Sequence, residues 1–319
     1  MIRAAAERLA PVVRRTPLLS SPFLDEIAGR RVFVKAENLQ HTGSFKFRGG
    51  WSALSGMDAK KRAGGVIAYS SGNHAQGVAL AAARHGVQAV IVMPDDSPAL
   101  KIANTRALGA EVVLYDRLND VREEIGSRIA ADRGLVLVKP YDEPLVIAGQ
   151  GTVGLEIAAQ ARDEGIGAAE VLVNCGGGGL TAGIALALEA EAPEMLVRTC
   201  EPAGFDDAAR SLAAGRIVAN ATQGGSICDA IVTPEPGAIT FPVMQRLCGA
   251  GLVVTDAEAL QAMALAFQRL KIVLEPGGAV SLAAALFQGD GIGADTVIAV
   301  ATGGNVDAAM FARALETLA

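Results

Sequence analysis

From Gly65 onward the sequence alternates short β-prone runs with longer segments of helical periodicity, and this alternation restricts the fold more than any other feature. Val66 to Tyr69 reads as a strand, Ala75 to His85 as a helix and Ala89 to Met93 as a strand, and a helix follows from Ser97 with Pro98 at its first position. Val112 to Leu114 is strand-like, Arg117 to Arg133 helical, and Leu135 to Val138 a strand again. After Pro140 come a helix from about Pro144, the strand Val171 to Val173, a helix beginning in the glycines from Gly176, and strands at Val197 to Cys200 and Val297 to Val300. Thr255 to Glu258 is a capping-box start for a helix running to about Leu270. Strands that alternate with helices pair in parallel, so the expected class is α/β.

The chain has 319 residues, 51% of them hydrophobic, which is enough for a large core in one domain or two. Its 37 glycines and 4% aromatic content suit close helix-to-sheet packing and glycine-rich ligand loops. A formal charge of −6 without a Lys/Arg run excludes the basic footprint that nucleic acid requires. Small anions remain eligible, because loop amides and a helix N-terminus bind them whatever the global charge. Cys175, Cys200, Cys228 and Cys248 are far apart with no C-x-x-C pair, as expected of free thiols in a reduced compartment. Met1 to Arg15 lacks a signal-peptide pattern and no uninterrupted apolar run approaches about 20 residues, so a cytoplasmic protein without a membrane span is expected.

Four segments carry the chemistry. In Gly43-Ser44-Phe45-Lys46-Phe47-Arg48-Gly49-Gly50 a lysine stands between two aromatics in a glycine-bracketed turn. Apolar surroundings lower a lysine's pKa by desolvating its charged form, and the free amine can attack an aldehyde. Taken alone, the octapeptide better describes a surface lysine beside Arg48 whose stem covers the phenylalanines. Gly176 to Gly179 join a strand to a helix, where amides can surround a phosphate. One or two glycines would suffice for a tight turn; four favour an anion. Ser70-Ser71-Gly72-Asn73-His74 occupies a similar junction, which on its own is an ordinary loop and N-cap, and Thr302-Gly303-Gly304-Asn305 follows the last strand.

In this order the four segments resemble the fold-type II pyridoxal phosphate (PLP) enzymes, specifically the serine/threonine dehydratase and serine racemase branch. The likeness runs from about Thr16 to about Asp307 and includes Ile147-Ala148-Gly149-Gln150-Gly151-Thr152. It implies a fold like the tryptophan synthase β subunit: two open, mostly parallel sheets flanked by helices, with a small domain (65–141) inserted into a large PLP-binding domain (1–64 and 142–319). It also implies a homodimer.

By this resemblance Lys46 is the covalent anchor and base, with Phe45 beside it. Gly176, Gly177, Gly178, Gly179 and Leu180 cup the phosphate. Asn73 faces the phenolic oxygen and Thr302 the pyridine nitrogen, while Glu275 lies near the ring without an assigned role. Ser70, Ser71, Gly72, Asn73 and His74 take the substrate carboxylate, and Ser71 is the second acid/base that racemisation requires. Phe47 and His74 match dehydratases rather than sulfhydrylases, which resemble T-S-G-N-T at the second segment. Thr302 stands where the branch usually has serine or cysteine, but keeps a hydroxyl that leaves the ring nitrogen unprotonated.

Glu201, the Phe205 carbonyl and Asp207 resemble the branch's divalent-cation site, with hard oxygen ligands suited to Mg2+ or Ca2+. Asp206 and Asp207 equally suit the start of a helix near Ala208, so both readings stand. Gly149-Gln150-Gly151-Thr152-Val153-Gly154 matches G-x-G-x-x-G with Glu170 about 20 residues on. The nearest strand ends too far upstream for a nicotinamide turn, which favours a close-packed helix.

The implied activity is β-elimination of water from L-threonine or L-serine, a small amino-acid substrate, to a 2-oxo acid and ammonia. Serine racemisation and 3-hydroxyaspartate deamination are the alternatives within the family. A nicotinamide oxidoreductase and a non-catalytic ligand-binding relative are those outside it. No regulatory domain like that of biosynthetic threonine deaminases is expected after Ala319.

Overall fold

The computed structural model describes residues 1–70, 72–97, 99–116, 119–222 and 224–318. Its strands are, in chain order, β1 (Leu18–Ser20), β2 (Arg31–Ala36), β3 (Val66–Tyr69), β4 (Ala89–Pro94), β5 (Glu111–Tyr115), β6 (Val136–Leu137), β7 (Ala169–Asn174), β8 (Met195–Pro202), β9 (Leu252–Val254) and β10 (Thr296–Ala301). They form a six-stranded sheet, ordered β1-β2-β10-β7-β8-β9, and a four-stranded sheet, ordered β5-β4-β3-β6. β1 runs antiparallel to β2, and the other pairings are parallel. The expected class, two mostly parallel sheets flanked by helices, is therefore the observed one.

The larger sheet is buried on both faces because its strands are apolar at successive positions. Val171 and Val173 of β7 pack with Ile157, Ile184 and Leu188 from the helices Pro144–Asp163 and Gly179–Glu191. Leu172 points the other way, toward Met263 and Leu282 of the helices Asp256–Leu265 and Pro276–Phe287. Each such side chain contributes about 1.5–3 kcal/mol relative to exposure.

One sequence expectation shifts. The helix expected from Arg117 begins at Arg122, with Arg117 and Leu118 outside the described residues. Asp120 Oδ2 accepts from Asp116 N–H at 2.9 Å and Asn119 Nδ2 donates to Asp116 Oδ2 at 2.5 Å, side-chain bonds that compete with helix at Asn119 and Asp120. The helix after Ser97 is Ala99–Ala107, and Pro98 lies outside the described residues. The capping box at Thr255 forms with both of its hydrogen bonds, and the helix continues through a π-helical turn, Ala266–Leu270.

Arg48 belongs to the core rather than to a basic surface turn. Its guanidinium donates to both oxygens of buried Glu37 at 2.8 Å and to Glu156 at 2.7 and 3.0 Å, and Lys35 Nζ donates to Glu156 at 2.6 Å. Burial works to raise the Glu37 pKa, but the Arg48 charge and hydrogen bonds outweigh it and hold the carboxyl below its ordinary value. The network fixes one face of the helix Lys46–Gly56. Another face meets the helix Asn73–His85 almost backbone to backbone, since a Cβ on Gly50 would lie 2.9 Å from the Gly77 carbonyl oxygen and one on Gly77 2.8 Å from the Lys46 carbonyl carbon. Gly149, Gly151 and Gly154 lie inside the helix Pro144–Asp163, where added Cβ atoms would meet Arg48 O, Gly183 O and Ile184 O at 2.6, 2.8 and 3.0 Å. They serve helix packing, and the strand-to-glycine turn that a nicotinamide site needs is absent from this segment.

Candidate active site

Four segments meet beyond the carboxyl ends of strands, where ligands bind in parallel α/β sheets. The lysine turn lies downstream of β2, the Ser70 loop follows β3, the glycine run follows β7 and Thr302 follows β10. Main-chain bonds stitch the first segment to the last. Phe45 N–H donates to Thr302 O at 3.2 Å, Gly304 N–H to Gly43 O at 2.9 Å, and Ser44 bridges Gly303. Phe45, Lys46, Ser70, Gly72, Asn73, His74, Gly176 to Gly179, Leu180, Glu275 and Thr302 all line one cavity of about 580 Å³. Ser71 lies outside the described residues.

Lys46 opens its helix half-buried in the cleft wall, its amine donating to Pro140 O at 3.1 Å and lying 5.2 Å from the centre of the Phe45 ring. Burial pulls its pKa down to about 8, and the Glu275 charge only partly opposes this. Phe47 turns away toward His41 and Trp51, so one of the two flanking aromatics faces the amine.

Ser70 Oγ accepts from Gly72 N–H at 3.2 Å, which shapes the loop. His74 Nε2 lies 2.9 Å from Val138 O, a pure acceptor, so Nε2 carries the hydrogen and Nδ1 is bare. Burial, then the nearby Lys46 charge, lowers its pKa to about 3; the ring is neutral. Asn73 Nδ2 donates to Glu275 Oε1 at 2.5 Å, and Asn305 Nδ2 donates to Asn73 Oδ1 at 2.7 Å. Glu275 is pushed up to about 7, by burial first, against the lowering effects of Lys101 and Asn73.

The glycine run ends at the N-terminus of the 13-residue helix Gly179–Glu191, whose first amides have no partner within the helix. A Cβ on Gly177 would lie 2.2 Å from the Tyr141 ring, so part of the demand for glycine comes from that ring packed on the loop. Thr240 Oγ1 and Gly237 N–H both donate to Gly177 O, at 2.6 and 3.1 Å.

The cleft fits a polar group such as PLP. Gln150 Oε1 and Nε2 and Thr233 Oγ1, buried in its walls, have no hydrogen-bond partner among the described residues, and the Lys46 amine has no contacting carboxylate there. Sequence reasoning missed Tyr141, Lys101 and Asn174. Asn174 had a signal, a polar residue ending the apolar run Val171 to Val173; Tyr141 and Lys101 had none.

Glu201, Phe205 and Asp207 do not line the cleft, although Asn220 joins Asp207 to Thr233 in its wall. The two Glu201 oxygens accept from Ala208 and Ala209 N–H at 2.8 and 2.7 Å, capping the helix Asp207–Ala214. Asp207 Oδ1 accepts from Asn220 at 2.7 Å, while Oδ2 is buried and has no partner among the described residues. Burial and then the Asp207 charge push Glu201 well up, and burial pushes Asp207 up to about 6. Among the described residues no group of three or more His, Cys, Asp or Glu side chains is placed to hold a metal, so a cation here would depend on two carboxylates and the Phe205 carbonyl.

Comparison with known proteins agrees with the geometry. Residues 9–303 match the family described as pyridoxal-phosphate dependent enzyme. The L-threo-3-hydroxyaspartate ammonia-lyase of a Pseudomonas species is 44% identical, the match covering 98% of this chain and 96% of that protein. The crystal structure of a threonine deaminase from T.th. superposes with a TM-score of 0.90 at 45% identity, covering 96% of this chain and 97% of that one. Maize serine racemase superposes with a TM-score of 0.90 at 35% identity, covering 99% and 96%.

The depressed Lys46 pKa has a measurable consequence, because only the neutral amine is nucleophilic. Acetylation of Lys46 in the apoprotein, followed by peptide mass spectrometry, should accelerate with pH and level off above about 8. A rate still climbing toward the ordinary lysine value of 10.5 would show that the amine is solvated.

Proposed function

The chain belongs to the pyridoxal-phosphate dependent enzyme family, and on that footing we propose that it deaminates L-threonine and L-serine to 2-oxo acids and ammonia by eliminating the β-hydroxyl. The observation that carries this reading is the half-buried Lys46 amine, with a pKa near 8, facing one cavity shared by the glycine run and the Ser70 loop. Gly176 to Gly179 and Leu180 would hold the phosphate of PLP, Lys46 its aldehyde carbon, Asn73 its phenolic oxygen and Thr302 its ring nitrogen, with Phe45 and Glu275 alongside. When bound, the group supplies an electron sink for the pair left at the substrate Cα.

The rest is work for the chain's own residues. Ser70, Gly72, Asn73 and His74 bind the substrate carboxylate; with Nε2 of His74 committed to Val138, that residue contributes its backbone N–H. Lys46 takes the Cα proton, since near pH 8 much of the amine is neutral. Ser71, though outside the described residues, is the acid/base of the opposite face if the enzyme also racemises serine. The 44% identity to a 3-hydroxyaspartate ammonia-lyase supports a second substrate, 3-hydroxyaspartate, whose additional carboxylate Lys139 in the lining would attract; Lys101 and Arg122 there are paired with Asp229 and Glu123.

The proposal divides the chain into a small domain, 65–141, inserted between 1–64 and 142–319; the position of the four-stranded sheet at 66–137 supports it. A homodimer is part of it, supported by the exposed Phe23, Ile27 and Phe267, and sedimentation as a single chain would remove that part. So is a cytoplasmic location, in keeping with four unpaired cysteines; no helix among the described residues is long and apolar enough to cross a membrane.

A substrate panel with 2-oxo acid and chiral detection tests the function. L-Threonine or L-serine should yield 2-oxo acid and ammonia, and Lys46→Ala should lower that turnover by more than about 10²-fold. Turnover of 3-hydroxyaspartate alone would replace the first substrate assignment with the second, and turnover of none would sink the proposal. For the cation we propose Mg2+ or Ca2+ between Glu201, the Phe205 carbonyl and Asp207, supported by the unpartnered Asp207 Oδ2. Either ion should raise Tm and a chelator lower it, because a ligand bound only to the folded state stabilises it. Unchanged melting would leave Glu201 as a helix cap.

A further inference from the structure

Asn174, the last residue of β7, lines the cleft but has no part in the chemistry described so far. Its amide is pinned at both ends. Ser281 N–H donates to its Oδ1 at 2.5 Å, and its Nδ2 donates to Gly278 O at 2.9 Å and, at the longer distance of 3.3 Å, to Val300 O. A backbone N–H only donates and a carbonyl only accepts, so these neighbours determine which end of the amide is oxygen. The remaining partner of Nδ2 is Thr302 Oγ1 at 2.9 Å. An amide nitrogen cannot accept, so the Thr302 hydroxyl must accept from Asn174 and its hydrogen must go elsewhere.

Among the described residues the Thr302 hydroxyl has no other hydrogen-bond partner, and the residue is buried in the cleft wall. A buried O–H with no acceptor is costly, so any nitrogen base opposite Thr302 becomes the acceptor for that hydrogen. We infer that Asn174 is a positioning residue that sets the polarity of the Thr302 hydroxyl, making it a donor toward the cleft and holding the facing ring nitrogen unprotonated. The inference rests on the reading of the cleft as a PLP site with Thr302 at the ring nitrogen. It adds a residue outside the four recognised segments that governs how strong an electron sink the site permits. The backbone groups of Ser281, Gly278 and Val300 transmit the orientation, which ties the polarity to the packing of the helix Pro276–Phe287 against β7 and β10.

The test is ¹⁵N NMR of ring-¹⁵N-labelled PLP bound to the wild type, Asn174→Asp, Asn174→Ala, Thr302→Val and the Asn174→Asp/Thr302→Val double variant. The Kd of PLP for each apoprotein and the Tm of each variant are measured in parallel. The wild-type nitrogen should be unprotonated and hydrogen-bonded. Asn174→Asp keeps an acceptor for Ser281 N–H but turns an acceptor toward Thr302, reversing the hydroxyl, so the resonance should move toward the protonated nitrogen. Thr302→Val should give an unbonded nitrogen, and the double variant should match it, because Asn174 acts through the hydroxyl. Asn174→Ala should weaken PLP binding about 3- to 10-fold, as expected for one lost or redirected hydrogen bond.

A protonated nitrogen in the wild type would overturn the inference without recourse to any variant. So would a wild-type resonance in Asn174→Asp, or an equal displacement with and without the Thr302 hydroxyl. Failure of the wild type to bind PLP at all would instead remove the functional reading beneath it.

Discussion

The site depends on the main-chain stitch between the lysine turn and the end of β10. Two backbone hydrogen bonds, Phe45 to Thr302 and Gly304 to Gly43, fix the separation of Lys46 and Thr302 without using any side chain. The amine and the hydroxyl are thus free to face a ligand. β10 is itself central in the larger sheet, paired with β2 and β7, so the three segments anchored on that sheet inherit their spacing from strand pairing. The Ser70 loop comes from the other sheet and is brought in by the close crossing at Gly50 and Gly77, which no larger residue permits.

Charge is managed differently in the core and at the site. Arg48, Glu37 and Lys35 are buried, Glu156 is half-buried, and the four satisfy one another; removing one partner of such a set typically costs about 3–5 kcal/mol because the other charges remain unpaired. Lys46, half-buried with only a carbonyl contact, and Glu275, buried with only an amide, both shift toward their neutral forms. Lys35, paired with Glu156 inside the network, is lowered as well, because burial outweighs its counter-charges; pairing reduces the shift toward the neutral form without cancelling it.

Much of this was legible in the sequence. The strands announce themselves as apolar runs because both sheet faces are covered, and the four chemical segments are contiguous, so each can be read without knowing its neighbours. The parts that were not legible arise from long-range contact. Arg48 reads as a surface charge until Glu37 and Glu156 are placed around it. Tyr141 becomes part of the site only when its ring is found on Gly177, and Asn174 only when Ser281 and Thr302 converge on its amide. The late start of the helix at Arg122 has a local cause, competition from Asp116, Asn119 and Asp120, but propensity alone does not weigh that competition.

Under the proposed function Lys46, the one lysine in the four segments, is the covalent anchor of the site. Borohydride reduction of the protein loaded with PLP, followed by peptide mapping, tests it most directly. The account predicts a single phosphopyridoxyl adduct, on the peptide that contains Lys46. An adduct on another lysine, with the Lys46 peptide recovered unmodified, would contradict it.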